Sequence, residues 1–238
     1  MEQLHHELWI VQGINAIFGP IVLWLGGLAG YHFENPAKPI PDHIAMVYLI
    51  VVAVIVMAAM LRPRLSAEHP GTVQVIFEDI LGALGGMMED IIGPKGRHFL
   101  PLVGTIGLFI LVGNLIGLVP GFMAPTSSIN VTLGCAITVW VYYHIQGVKA
   151  QGIVAYLKHF AAPPGAPIFI APIMLPIEII SHLSRVLSLS LRLFGNVFGE
   201  ELVILILFSI VPFLAPLPVM FLGIITMPLQ AFIFVMLT

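Results

Sequence analysis

Charge is the scarcest thing in this chain. Nine Lys and Arg and twelve Asp and Glu occur in 238 residues, 9% of the whole, whereas 59% of the residues are hydrophobic. An ordinary soluble domain carries about a quarter charged residues, so that class is excluded. With a net charge of −3 and few basic residues there is no basic patch to hold nucleic acid. The lone cysteine, Cys135, excludes a disulfide within the chain and suits a small buried hydrophobe. No phosphate loop of the Walker kind and no fixed-period repeat is present, so direct nucleotide binding is not expected. The opening Met1-Glu-Gln-Leu-His-His-Glu7 lacks the positive stretch of a signal peptide and is expected to remain in the mature protein. His5 and His6 have no third ligand beside them, which favours a solvated helix start over a metal site, and no cofactor is implied.

What is abundant is apolar helix. The pattern predicts an all-α, polytopic helical membrane protein with about five transmembrane helices, including a long tilted helix pair, plus amphipathic surface helices. Residues 1–42 form an N-terminal external or interfacial segment in which Trp9 to Gly30 either spans or lies on the surface, the latter favoured. Residues 43–238 form a single membrane domain with spans at 43–61, 99–119, 129–148, 177–211 and 219–238. The middle two are expected to make a helical hairpin through Pro120 to Pro125. An amphipathic cytoplasmic helix is predicted over 71–92, where Val73, Ile76, Phe77, Ile80, Leu81, Leu84 and Met88 recur at helical spacing among acids. The stretch from Ile177 to Val211 would be about 52 Å long as one helix, well beyond a hydrocarbon core of about 30 Å, so it must tilt or break. Prolines at 163, 164, 167 and 172 mark the linker before it, Pro212, Pro216 and Pro218 a turn after it, and Pro228 a kink in the last span.

Basic residues test this topology. Arg62, Arg64, Lys95, Arg97, Lys149 and Lys158 fall on one side and only Lys38 on the other, which makes the first side cytoplasmic and puts the C-terminus inside. The N-terminus is then external.

Within the fourth predicted span stands Arg192, with apolar helix on both sides. An arginine at a bilayer centre costs about 2.5–3.5 kcal/mol even on lenient scales, and a helix keeps one only where it faces partners or water. At ~100° per residue, Glu178, Ser181, Arg185, Ser188, Arg192 and Asn196 fall within about 80° of arc, one polar face. Glu200 falls on the flank and Glu201 on the far side. Ser184 and Ser190 are expected only to bond back to a carbonyl one turn earlier. Arg185 can snorkel to the interface. A guanidinium stays charged when desolvated and attracts anions but relays no proton, whereas carboxylates relay protons, and Ser, Asn and Gln hold water chains between them. The combination suggests proton handling.

The run Ser188-Leu-Ser-Leu-Arg-Leu-Phe-Gly-Asn196, with Glu201-Leu202, resembles subunit a of the F-type ATP synthases. Gly113-Asn-Leu-Ile-Gly-Leu-Val-Pro120, Pro125-Thr-Ser-Ser-Ile-Asn-Val-Thr-Leu133 and Leu229-Gln-Ala-Phe-Ile-Phe234 extend the likeness from about residue 43 to the end. The resemblance implies a non-catalytic, proton-translocating stator subunit set against a rotating ring of c subunits. The peripheral-stalk b subunits and the lipid bilayer are its other partners. Arg192 would separate two offset half-channels, Asn196, Glu201 and Gln230 would line the external one, and Glu178, Ser181 and Ser188 the cytoplasmic one. Glu200, Arg185 and Asn114 are secondary candidates. Gly223 stands where many relatives carry a polar partner for the position of Glu201, and Glu200 or a water is expected to replace it. Gly117 and Ser128 stand where some relatives have acids, leaving Asn114 and Asn130 nearby. Relatives usually run on past the position of Thr238, so the last helix is expected to be short at its cytoplasmic end. A different class, a stand-alone transporter using Arg192 to bind an anionic substrate, would call for paired interrupted segments, and none is visible.

Overall fold

The computed structural model describes residues 9–28, 38–66, 69–119, 122–156, 171–211 and 214–238. His5, His6, Pro120, Lys158, Pro163, Pro164, Pro167 and Pro212 lie outside them. The described residues form helices α1 (Trp9–Leu28), α2 (Asp42–Leu61), α3 (Thr72–Ile92), α4 (Leu100–Gly117), α5 (Ile129–Gln151), α6 (Ala171–Ile210) and α7 (Pro216–Leu237). Single 3-10 turns at Arg62–Arg64, Gly96–Phe99 and Pro125–Ser127 connect some of them.

Four helical stretches are long and apolar enough to cross a membrane: Asp42–Leu61, Gly96–Gly117, Pro172–Ile210 and Pro216–Leu237. The expected fifth, α5, has 23 residues but is too polar by composition, carrying Asn130, Thr132, Thr138, Tyr142, Tyr143, His144, Gln146 and Lys149. It lies against α6, and part of that polarity is met there rather than by lipid. On α2 the side chains of Tyr48, Val52, Ile55 and Met60 are exposed, as suits a face turned to hydrocarbon.

The helices pack in a row. α5 lies on α6, α6 on α7, α7 on α4, α4 on α2 and α2 on α1, while α3 rests against the start of α4. The expected hairpin of α4 and α5 is built differently from two helices packed directly along their length, since the main neighbour of α4 is α7 and that of α5 is α6. The 125–127 turn sits among α2, α4, α5 and α6, with Pro125, Thr126 and Ser127 buried. One core joins them: Ile110 from α4, Ala136 and Val139 from α5, Val186, Leu189, Leu193 and Val197 from α6, and Ala231 and Phe234 from α7. The α6 members recur at three- and four-residue spacing, an inner apolar stripe opposite the polar one.

Two helices begin earlier than their prolines suggested. α6 starts at Ala171 with Pro176 inside it, and Pro216 and Pro218 open α7 instead of forming a turn. The first four N–H groups of a helix have no partner within it, so a ring there removes nothing, and Pro176 forfeits a single bond near the end. α6 is therefore 40 residues, roughly 60 Å at ~1.5 Å per residue, without a break. α1 contains a shorter apolar stretch, Val11–Trp24, and exposes Trp24. Buried Asn15 fastens it to the start of α2, its amide donating to the Val11 and Ile40 carbonyls at 3.1 Å each while its oxygen accepts from the Ile40 N–H at 3.0 Å.

Candidate functional site

Arg192 projects from the middle of α6. Its side chain is exposed and, among the described residues, makes no hydrogen bond or ion pair. Ser181, Arg185, Ser188 and Asn196 are exposed on the same face, with Glu178 half-buried, so the stripe drawn from helical spacing is an outward surface of the bundle. A cation left unpaired on an otherwise apolar span is costly in lipid and calls for something outside this chain to face it.

On the C-terminal side of Arg192 the polar groups of α6 turn toward α7. Asn196 Nδ2 donates to Gln230 Oε1 at 2.7 Å, and one turn further Thr226 Oγ1 donates to Glu200 Oε2 at 3.4 Å. Four residues up α6 correspond to four residues down α7, an antiparallel register. Continued one turn the other way, that register brings buried Phe234 to the level of Arg192, next to Leu193 in the apolar core. The polar rungs stop there.

Glu200 owes its position to a missing side chain. A Cβ on Gly223 would lie 2.0 Å from Glu200 Oε1 and 2.8 Å from the Leu118 side chain, so only glycine leaves room for the carboxylate against α7. Glu201, next in sequence, points elsewhere: its Oε1 accepts the Ala124 N–H at 2.9 Å. Gly117 answers to the same loop, since a Cβ there would meet the Ala124 Cβ at 2.7 Å. An acid at that position would displace the turn. Asn114 is fully buried, its Oδ1 accepting from Thr126 Oγ1 at 2.6 Å, which ties it to the turn.

On the N-terminal side of Arg192 the partners come from α5. His182 Nε2 lies 3.3 Å from Glu178 Oε1, and its Nδ1 hydrogen-bonds the Tyr143 hydroxyl. Helical spacing alone did not single out His182, Tyr143, His144, Thr132 or Thr226. His182 lies on the flank of the stripe, and its meaning depends on α5, which a projection of α6 does not contain. Thr226 had a weaker signal, being one turn from Gln230. Ser190 departs from its expected bond to a carbonyl one turn back. It is buried and shares a hydrogen bond with Thr132 Oγ1 of α5 at 3.1 Å, because the inner face of α6 leaves it no water. Among the described residues no group of three His, Cys, Asp or Glu gathers as a metal site would require.

An unpaired arginine on a long membrane helix, polar rungs to one neighbour and a titratable cluster on the other define an integral membrane protein built to handle ions. Residues 44–238 match the family described as ATP synthase A chain, and the chain belongs to that family. Its relatives include "ATP synthase subunit a 3" of Pelobacter propionicus, 46% identical over 89% of each chain. They also include "ATP synthase subunit a" of a Sulfurovum species, 45% identical over 90% of this chain and 86% of the relative. "ATP synthase subunit a 2" of Syntrophotalea carbinolica is 41% identical over 92% and 94%. The family is that of a membrane-sector subunit serving ATP synthesis and proton transport, without catalysis of its own.

Proposed function

We propose that this chain is the proton-translocating stator of an F-type ATP synthase, offering two offset half-channels to the carboxylates of a c-subunit ring, with Arg192 between them. Its guanidinium attracts each ring carboxylate in the deprotonated form and blocks a direct water path, so protons cross only by riding the ring. Proton flow is thereby coupled to rotation and ATP synthesis. Asn196, Glu201 and Gln230 line the external half-channel, with Glu200 in the space that Gly223 leaves. Glu178, Ser181 and Ser188 line the cytoplasmic one, where Arg185 borders a cavity. Asn114 supports the external side through the turn at Thr126.

The c ring covers the exposed face of α6, the b subunits of the peripheral stalk hold the chain against it, and residues 43–238 act as one domain in the bacterial inner membrane. Residues 1–42 stay external or interfacial, and the C-terminus is cytoplasmic. The six-to-one distribution of basic residues supports that orientation. The observation that carries the reading is the exposed, unpaired Arg192 at the level where the polar rungs between α6 and α7 give way to Phe234.

Arg192→Ala tests it. In membranes where the complex still assembles, ATP-driven proton pumping should be lost while ATP hydrolysis by the catalytic sector persists. Normal coupled pumping would overturn the reading.

A further inference from the structure

At the basic-rich end, a chain of titratable groups crosses from α6 to α5. Glu178 Oε1 and His182 Nε2 are 3.3 Å apart, and their side chains are 41% and 13% exposed, so the carboxylate meets water while the imidazole is screened from it. The other ring nitrogen bonds the Tyr143 hydroxyl, and the two rings stack with centroids 5.6 Å apart. Tyr143 in turn lines an open-sided cavity of about 240 Å³ with Trp140, Arg185, Leu189 and Thr238. That is room for several waters at about 30 Å³ each. Trp140 Nε1 is buried without a hydrogen-bond partner among the described residues, a donor suited to such water.

Among the described residues, the charged and titratable groups around His182 come from three stretches of the chain. Glu178 and Arg185 share α6 with it. Tyr143 and His144 come from α5, the His144 ring 5.2 Å from that of His182 and its Nδ1 2.9 Å from the Trp140 carbonyl. Beyond the end of α5, Tyr156 meets His144 edge-on at 6.0 Å. Burial, and secondarily the charge of Glu178, raises the Tyr156 hydroxyl above its ordinary pKa, which puts the carboxylate within electrostatic reach of that ring as well. At the end of α7, Leu237 and Thr238 border the cavity, and neither is titratable.

We propose that His182 and Tyr143 form a proton relay between this cavity and the Glu178 carboxylate, completing the cytoplasmic half-channel on the α5 side of α6. The inference rests on the half-channel reading above and extends it to residues that the polar stripe does not include. In one hop a hydronium in the cavity, left as water, gives its proton to the Tyr143 oxygen, the Tyr143 proton passes to His182 Nδ1, and the Nε2 proton leaves to the Glu178 carboxylate, which releases it to bulk water. Each O–H or N–H bond that breaks is matched by one that forms, and one positive charge moves outward. A turn of the imidazole, which returns an N–H to face Glu178 and a bare nitrogen to face Tyr143, resets it. Imidazole is suited to the middle place because its two nitrogens can accept and donate at once near neutral pH. A merely structural bridge would need neither property.

The test uses the assembled complex in membrane vesicles, with passive proton conduction through the membrane sector measured against pH. Tyr143→Phe keeps the stacked ring and removes only the hydroxyl. Both His182→Ala and Tyr143→Phe should slow conduction by about a hundredfold, the low end of what a positioned proton-transfer group contributes. Loss of the imidazole should change the pH profile of conduction. Imidazole added to the buffer should restore conduction in His182→Ala, which it would not do for a packing defect. The relay is overturned if both variants conduct like the unaltered complex with the same pH profile. It is equally overturned if His182→Ala loses conduction that imidazole fails to restore while Tyr143→Phe is normal. Arg192→Ala separates the two levels: if it blocks pumping while the relay variants are normal, only the relay falls, whereas normal pumping by Arg192→Ala removes the half-channel reading itself.

Discussion

Arg192 divides α6 into two stretches that use polar side chains in different ways. From Asn196 to Glu201 the polar groups turn into α7 and the loop at Ala124, as amide and carboxylate rungs at 2.7, 3.4 and 2.9 Å with Gln230 buried among them. From Glu178 to Ser188 they remain outward or reach α5 through an imidazole and a phenol beside a cavity. The neighbour changes from one flank of the helix to the other at the level of the arginine. A single water line along α6 is therefore not what the fold builds. Polar groups on opposite flanks are, with Leu193 and Phe234 packed in the apolar core between them. The contrast in material matters as much as the offset: one side has rungs fixed by complementary partners, the other an imidazole and a phenol that can each both donate and accept a hydrogen bond.

The sharpest way to break the comparison is to change the divider while keeping its charge. Arg192→Lys should abolish coupled pumping nearly as fully as Arg192→Ala, since an ammonium facing hydrocarbon can give up its proton and its single point of donation cannot match a carboxylate with a fork. ATP-driven acidification of inverted vesicles, normalised to assembled complex, is the measurement. Pumping near the unaltered level would mean that charge alone suffices.

Next in size is an attack on the α7 flank. Gly223→Ala puts a methyl where Glu200 Oε1 now lies 2.0 Å from the ideal Cβ, so the carboxylate must leave its place against α7. We expect a severalfold loss of pumping, smaller than that from Arg192→Lys because Asn196 and Gln230 remain paired. Glu200→Gln, which keeps the shape and removes the charge, should also reduce pumping. Unchanged rates in both variants would show that the α7 track runs without Glu200, leaving Glu201 as its carboxylate.

Much of this was legible from residue order because it depends on a single helix. The one-sided stripe through Arg192 needs only a period of 3.6 residues, and the helix bounds of α2 follow from an uncharged apolar run and those of α3 from apolar residues at helical spacing. What depended on a second helix was not legible. Ser190 looked like a residue that bonds its own backbone until Thr132 came opposite it. His182 had no visible function without Tyr143, 39 residues earlier in the chain. The α6 start was misplaced by reading Pro176 as a stop, although a proline so near a helix start costs little. Gly223 marked a departure from the expected pattern, but that its empty volume holds Glu200 is a fact of packing.

The smallest expected effect concerns the seam between α5 and α6, which in the proposed function would hold the cytoplasmic track in place without taking part in proton transfer. Thr132 and Ser190 share one buried hydrogen bond of 3.1 Å, and neither side chain reaches the outward face. Removing Ser190 leaves Thr132 Oγ1 only its bond to the Ile129 carbonyl at 3.1 Å, at a cost of about 0.5–1.5 kcal/mol for the one bond lost, whereas replacing both by apolar groups of like shape is nearly neutral. Ser190→Ala alone should therefore lower the thermal stability of the detergent-solubilised complex, and Thr132→Val added to it should restore most of the loss. Proton conduction by assembled complexes should stay unchanged in both. Conduction that fell with Ser190→Ala and returned with the second substitution would mean that the seam itself tunes the track, and that the difference between the two flanks of α6 is one of alignment as well as chemistry.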